Sequence, residues 1–270
     1  MRTFLAVAKR EWTIFFRYPS WVVALLVWPV LAPSLAVFTA RALAGPSGSG
    51  LAVFTQHAGT SDYAGFIMTG MILWMWLNMV LWVVGGSLRA EQQRGTLESN
   101  WMTPANRLAI VFGSGLTGTA TTALTVVVGV VLFRVLWGVR VIPSPLLALV
   151  FLLSTVAIYG LGLVFSSMVL LLKQLNAMVF FVRGVFLVFC GMSYPLSVLP
   201  AWMRSVSRFL PLTYSIDLTR RVGLAGAGLA EVRSDLAILA VFALGLFAAG
   251  CLAFLSVDRT VRRNGTLGQY

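Results

Sequence analysis

Residues 63–88 read YAGFIMTGMILWMWLNMVLWVVGGSL, from Tyr63 to Leu88, without a single Asp, Glu, Lys, Arg or His. A helix rises about 1.5 Å per residue, so about 20 apolar residues cross the ~30 Å hydrocarbon core of a bilayer. The stretch therefore reads as a transmembrane helix, rich in Met and Trp. Asn78 is its main amide, a group expected to bond a neighbouring helix in the absence of water. Working outward, five further apolar runs have comparable character: Trp21 to Thr39, Leu108 to Phe133, Leu146 to Leu172, Ala177 to Met192 and Leu236 to Val257. The predicted fold class is an all-α polytopic membrane protein. It has six transmembrane helices in one domain over 1–270, with a bundle over 21–257 and a tail over 258–270.

Composition points the same way. Hydrophobic residues make up 59% of the 270 positions and charged residues 10%, where a soluble domain carries about 25% charged. A disordered chain would be poor in apolar residues. The net charge is +12, and only Lys9 and Lys173 among the cations are Lys. In a soluble protein such a balance suggests nucleic acid. Here the cations sit at the ends of apolar runs, where they meet lipid headgroups, so membrane lipid is the expected partner and nucleic acid is not. The Arg bias is compositional and points to a GC-rich bacterium. Cys190 and Cys251 lie inside apolar runs as small hydrophobes, and the lone His57 sits in a polar loop over 45–62. These residues do not assemble a zinc site.

The first 20 residues are not a span. At about 100° per residue, Arg2, Lys9, Arg10 and Arg17 cluster on one helical face, with Phe4, Leu5, Ala8, Trp12 and Phe15 largely on the other. That is an amphipathic helix lying on a membrane surface, ended at Tyr18-Pro19-Ser20 because Pro19 disfavours a helical residue before it. Ala42-Leu43-Ala44 looks like a signal-peptidase site. The preceding run is span-length instead of the 7–15 residues of a signal peptide, so no cleavage is expected. Six crossings put both termini on one side. With that side as cytoplasm, eleven cations lie there against eight opposite, and seven of the eleven flank the first and last spans, in keeping with positive-inside bias. Arg134 to Pro145 is read as a short turn and Lys173 to Asn176 as a tight one.

Enzymatic signatures are missing. No G-x-x-x-x-G-K-[ST] occurs, so no phosphate-cradling loop is expected. There is no G-x-S-x-G elbow, and one loop histidine makes no triad. We expect no catalytic, cofactor-binding or metal-binding residue in this chain. Ion channels and proton-coupled carriers need ionisable groups at depth, and only Arg183, in VFFVRGVFL, stands inside a span. Two readings are open for it: snorkelling or pairing with a polar neighbour near Asn176, or contact with an anionic group of a cargo. Gly113-Ser114-Gly115 is read as a site of close helix packing.

Two polar stretches remain. Tyr194 to Ser234 is broken by Pro195, Pro200 and Pro211, and reads as two short helices dipping into the bilayer edge, tolerated where they pack on protein or line a wet cavity. Between spans two and three, Glu91, Arg94 and Glu98 are charged, Leu97, Trp101 and Met102 are apolar and helically spaced, and Thr103-Pro104 ends the turn. This is a short cytoplasmic helix. On composition it is either solvated or seated by its apolar ridge in a partner's groove.

The string Glu91-x-x-Arg94-Gly95-Thr96-Leu97-Glu98, followed by Thr103-Pro104, resembles the coupling helix of the ABC-2 family of ATP-binding cassette transporter permeases. Gly191-Met-Ser-Tyr194-Pro195, then Leu199-Pro200-Ala-Trp202, then Pro211-Leu-Thr-Tyr214-x-x-Asp217-x-x-Arg220, is similar to the family pattern after the fifth span, where short re-entrant helices lie on the outer side. The N-terminal helix is similar to the family's interface helix. The resemblance implies the permease subunit of an exporter in the cytoplasmic membrane. It would face an identical or related second permease subunit, with ATP and Mg held by two copies of a separate ATPase. Glu91, Arg94 and Glu98 would contact that ATPase through polar groups, and Leu97 and Trp101 would fill its cleft. The cargo implied is a drug, lipid or lipid-linked glycan. The aromatic second span (Trp74, Trp76, Trp82) and the apolar fifth fit a hydrophobic or amphipathic cargo, with Arg183, Trp74, Asn78 and Tyr194 as cargo or gate contacts. A scaffold or sensor subunit that binds an ATPase without moving cargo, a polysaccharide-export permease and a standalone channel are the alternatives.

Overall fold

The computed structural model describes residues 17–45, 49–93, 107–172 and 175–263, together with Lys9 and Thr13. Among these residues there are nine α-helices and one 3-10 turn, and no strand. In chain order they are α1 (Pro19–Leu43), α2 (Ser49–Ala58), α3 (Tyr63–Gln93), α4 (Arg107–Trp137), α5 (Pro145–Leu172), α6 (Leu175–Phe189), the 3-10 turn (Leu196–Val198), α7 (Ala201–Ser207), α8 (Pro211–Gly223) and α9 (Leu229–Arg263). Most of the expected N-terminal interface helix lies outside the described residues. Lys9, Thr13 and Arg17, one turn apart, are each helical and exposed, and the Thr13 hydroxyl donates to the Lys9 carbonyl at 2.9 Å.

Among the described residues, four segments are long and apolar enough to cross a membrane: Tyr63–Gly86, Gly118–Trp137, Pro145–Met168 and Leu229–Val257. Shorter apolar stretches run over Val27–Leu43 in α1 and Asn176–Phe189 in α6. With 15 residues, α6 spans about 22 Å, less than the hydrocarbon thickness. The helices overrun the predicted spans at their polar ends. Arg134 closes the last turn of α4 instead of opening a loop, and α9 begins at Leu229 and carries on through Arg263. The polar loop after α1 contains the helix α2, with His57 in its last turn.

Helix α3 is the centre of the bundle, touching α1, α4, α5, α6 and α8. Ile67, Met68, Leu73, Leu77 and Leu81 are at most 2% exposed, so most of this apolar helix is covered by its neighbours, with Trp82 left exposed. By contrast, α4 and α9 keep apolar faces outward, with Val127, Val131, Val241, Leu244 and Leu252 exposed, as helices facing lipid do. The closest pairing is α5 with α9. A Cβ at Gly160 would lie 2.5 Å from the Leu246 carbonyl carbon, and one at Gly250 would lie 2.5 Å from the Gly160 carbonyl oxygen. Backbone meets backbone there because neither helix has a side chain at the crossing. Gly113-Ser114-Gly115, where close packing is expected from the sequence, lies in α4, and its side-chain surroundings fall outside the described residues.

The chain segments 49–62, 138–144 and 190–228 gather at one end of the bundle, called here the loop end. Phe38 of α1 stacks edge-on against Trp137 of α4 with centroids 5.0 Å apart, the Ile142 amide donates to the Gly223 carbonyl at 2.7 Å, and the Ser197 hydroxyl donates to the His57 carbonyl at 3.3 Å. The last turn of α3 and the first turn of α4 lie at the opposite end, where the segment 94–106 joins them in the chain.

Candidate functional site

The loop end is organised around Arg220. Pro195, buried, precedes the 3-10 turn, Pro200 precedes α7, and Pro211 occupies the first turn of α8, each in a position where a missing N–H costs no helical hydrogen bond. The prolines thus cut residues 194–223 into two short α-helices, as expected from the sequence, and a 3-10 turn that was not expected. Helix α8 then carries the Arg220 side chain into the bundle. Its Nε and Nη2 donate to the Phe66 carbonyl at 3.1 and 2.9 Å, Nη1 donates to the Gly191 carbonyl at 3.0 Å, and Nη2 also donates to the Met192 carbonyl at 2.7 Å. The guanidinium carbon lies 3.3 Å from the centroid of the Phe66 ring. Three oxygens and one ring face replace the water that a cation would otherwise hold. Burial pulls the guanidinium down to about 9, which leaves it a cation at neutral pH.

Two glycines make room for this clamp. Gly191 has φ +62, a conformation L side chains rarely adopt, and it turns its carbonyl toward Arg220. At Gly70, one turn beyond Phe66, a Cβ would stand 1.9 Å from the Met192 oxygen and 2.6 Å from Arg220 Nη2. Neither Phe66 nor Gly70 was singled out by sequence; a glycine in the middle of an apolar span is the only signal that marked the spot.

The other residues of this region have separate duties. Asp217, three positions before Arg220, does not pair with it: its carboxylate stands 3.5 Å from Arg221. Arg221 in turn donates to Asp235 at 2.7 Å and to the Glu231 carbonyl at 2.6 Å, tying α8 to the start of α9. The Tyr194 hydroxyl donates to the Val188 carbonyl at the end of α6, and burial pushes its phenol up, so it stays a neutral donor. Tyr214 donates to the Arg208 carbonyl at 3.1 Å and lays its ring against Phe242. Trp202 is exposed, with its ring edge-on to Phe189.

Within the bundle, the predicted cargo residues separate into two places. Arg183 of α6 holds its guanidinium 5.0 Å from the Trp74 ring and 5.7 Å from the Phe180 ring. Asn78, one turn after Trp74 on α3, lines a cavity of about 290 Å³ between α1, α3 and α4, with Trp28, Pro29, Trp76, Trp82 and Thr122. The structure therefore brings Trp74 to Arg183, gives Asn78 to the cavity lining, and bonds Tyr194 to the Val188 carbonyl. Of the predicted coupling residues, Glu91 falls on the last turn of α3. Arg94, Gly95, Thr96, Leu97, Glu98, Trp101, Thr103 and Pro104 lie outside the described residues. No group of three or more metal-ligating side chains occurs among the described residues.

The family model described as "ABC-2 type transporter" matches residues 2–223, from the N-terminal segment through the end of α8. The chain belongs to the ABC-2 type transporter family. Its curated relatives include a probable multidrug ABC transporter permease, YbhR, of Escherichia coli strain K12, 26% identical over 196 residues, which are 71% of this chain and 52% of the relative. The protein of the same description from Escherichia coli O157:H7 matches to the same extent. The chain thus spans about half the length of the curated relatives it matches. As an ABC-2 permease it is a multi-pass membrane protein of the class without a nucleotide site of its own.

Proposed function

We propose that this ABC-2 permease is the membrane subunit of an exporter that carries a hydrophobic or amphipathic cargo across the cytoplasmic membrane, driven by ATP hydrolysed on a separate ATPase. The observation that carries the reading is the family match across 2–223, which takes in the helices from α1 to α8 and the polar segment joining α3 to α4. In this reading α1 and α6 complete six crossings, both termini and the segment Glu91–Pro104 are cytoplasmic, and the short helices α7 and α8 re-enter the outer leaflet. Single-domain organisation over 1–270, with residues 1–20 on the membrane surface and 258–270 leaving the bundle, belongs to the same proposal. Two permease subunits, identical or related, face each other, and each seats Leu97 and Trp101 in one of two ATPases, with Glu91, Arg94 and Glu98 at the rim of that contact. ATP and Mg are held by the ATPases.

The cargo class is supported by the lining residues. Trp74, Trp76 and Trp82 face cavities or neighbours that are apolar, and Arg183 is already occupied by two rings. The described cavity lining is mostly apolar, unlike the rows of polar side chains that a sugar polymer requires, and relatives carry the description of a probable multidrug permease. The test is to co-express the chain with its ATPase, prepare inside-out vesicles and follow uptake of a neutral fluorescent dye. ATP-dependent uptake, lost on omission of either subunit, is the expected result. A stable complex that hydrolyses ATP yet moves no dye, lipid or lipid-linked glycan would overturn the exporter reading in favour of a scaffold or sensor.

A further inference from the structure

The cavity between α1, α3 and α4 has a feature that packing alone does not explain. Trp76 is 5% exposed, and its indole Nε1–H has no hydrogen-bond partner. Asn78 Oδ1, buried at the same cavity, has none either. One is a donor and the other an acceptor, two residues apart in the sequence. In the apolar interior of a bundle an unpaired polar atom is costly, and most such atoms find a partner. Both belong to the lining of one cavity of about 290 Å³, the lower edge of the range for small-molecule sites. At its open side Trp28 is 60% exposed and Trp82 is 37% exposed. Pro29, in the wall, is one of two prolines inside α1, and each proline deprives the carbonyl four residues earlier of its helical donor. The hydroxyl of Thr122, also in the wall, is turned to Met79 Sδ at 3.4 Å. None of the lining residues is charged.

We infer that this cavity is a binding site for a neutral, mostly apolar molecule that carries a hydrogen-bonding group, with that group at Asn78 and Trp76 and the apolar body between Trp28 and Trp82. The absence of charge in the lining excludes an ionic ligand, because an ion brought there would lose its water without a counter-charge. The paired orphan donor and acceptor exclude a plain hydrocarbon chain, which leaves both unsatisfied. That the occupant is cargo rests on the permease reading above; that the site binds such a molecule does not.

Photolabelling of the full chain in lipid nanodiscs, without ATPase or ATP, tests the inference separately from transport. The probe is 4-hydroxybenzophenone, neutral, with one hydroxyl and one carbonyl. Adducts are expected on peptides containing Met75, Met79 and Thr125, competed away by unlabelled 4-phenylphenol. Asn78→Leu is expected to lower that labelling about tenfold, the factor that one lost buried hydrogen bond carries. Trp76→Phe, which keeps a ring but removes the N–H, is expected to lower it similarly and serves if Asn78→Leu fails to fold. Val241→Leu, on the exposed face of α9, is expected to leave it unchanged. The carboxylate analogue 4-benzoylbenzoic acid is expected to label far less. Equal labelling of native and both substituted chains would overturn the proposal and mark the cavity as a crevice filled by acyl chains. Equal labelling by the carboxylate, or adducts confined to α4 and α9 faces outside the cavity, would overturn it as well. A chain that fails to transport yet labels as described upholds the site and rejects only its cargo role.

Discussion

Arg220 and Phe66 meet twice: the guanidinium lies over the Phe66 ring, 3.3 Å from its centroid, and donates two hydrogen bonds to the carbonyl of the same residue. The two residues are 154 positions apart. Ring and carbonyl together fix both the place and the tilt of the guanidinium plane, which a single ion pair would not do.

Arg220→Ala should therefore be the most damaging single change at the loop end. It leaves the carbonyls of Phe66, Gly191 and Met192 without this donor, at about 1–3 kcal/mol for each buried acceptor that water cannot reach. Arg220→Lys keeps the charge and loses the planar fork, so it should fall between Ala and the native chain. Thermal unfolding in detergent, followed by size-exclusion fluorescence, measures the order.

Gly70→Ala should destabilise by about 1–3 kcal/mol, the usual cost of overpacking, because the new methyl would meet the Met192 carbonyl at 1.9 Å. Gly184→Ala, in α6, meets nothing within 4 Å and should be neutral or slightly stabilising through helix propensity. The same melting assay checks the pair, and equal midpoints for the two variants would contradict the clamp geometry.

On α9, Gly250→Ala should separate α5 from α9, since its Cβ would stand 2.5 Å from the Gly160 oxygen, while Gly245→Ala on the same helix meets nothing. A cysteine pair placed across the two helices near this crossing should oxidise readily in the Gly245→Ala background and poorly with Gly250→Ala.

If residues 91–104 dock an ATPase, Leu97→Asp together with Glu98→Arg should abolish co-purification with that subunit and leave membrane insertion intact. Retained association in a pull-down would argue against the docking role.

Arg183→Ala removes cation–π contacts with Trp74 and Phe180 worth about 0.5–2 kcal/mol. A modest loss of stability with a larger change in dye uptake is expected; unchanged uptake would assign Arg183 to structure alone.

The long spans were legible because hydropathy over some 20 residues needs no knowledge of neighbours. Their ends were less so: Arg134 and the residues after Val257 read as loop, yet helix continues through both, since a charged side chain at a span's end extends into the headgroup layer without breaking backbone hydrogen bonds. Helix α2 was missed because Gly, Ser and His make Ser49–Ala58 look like turn. The prolines at 195, 200 and 211 correctly announced short, broken helices. The Arg220 clamp was unreadable for a physical reason. All its acceptors are main-chain carbonyls, and a carbonyl carries no residue-specific mark. The cavity at Asn78 was likewise hidden, because whether an amide bonds a helix or faces an empty volume is decided by neighbours from two other helices.

One guanidinium holds a span, the turn after α6 and the helix α8 in a single knot. Whatever force reaches α3 from its far end cannot be absorbed by slack at this cap. Any sliding of α3 along its axis must carry α8 and the close of α6 with it as one body, so a movement at this end would tilt the cap whole, and not peel one loop at a time.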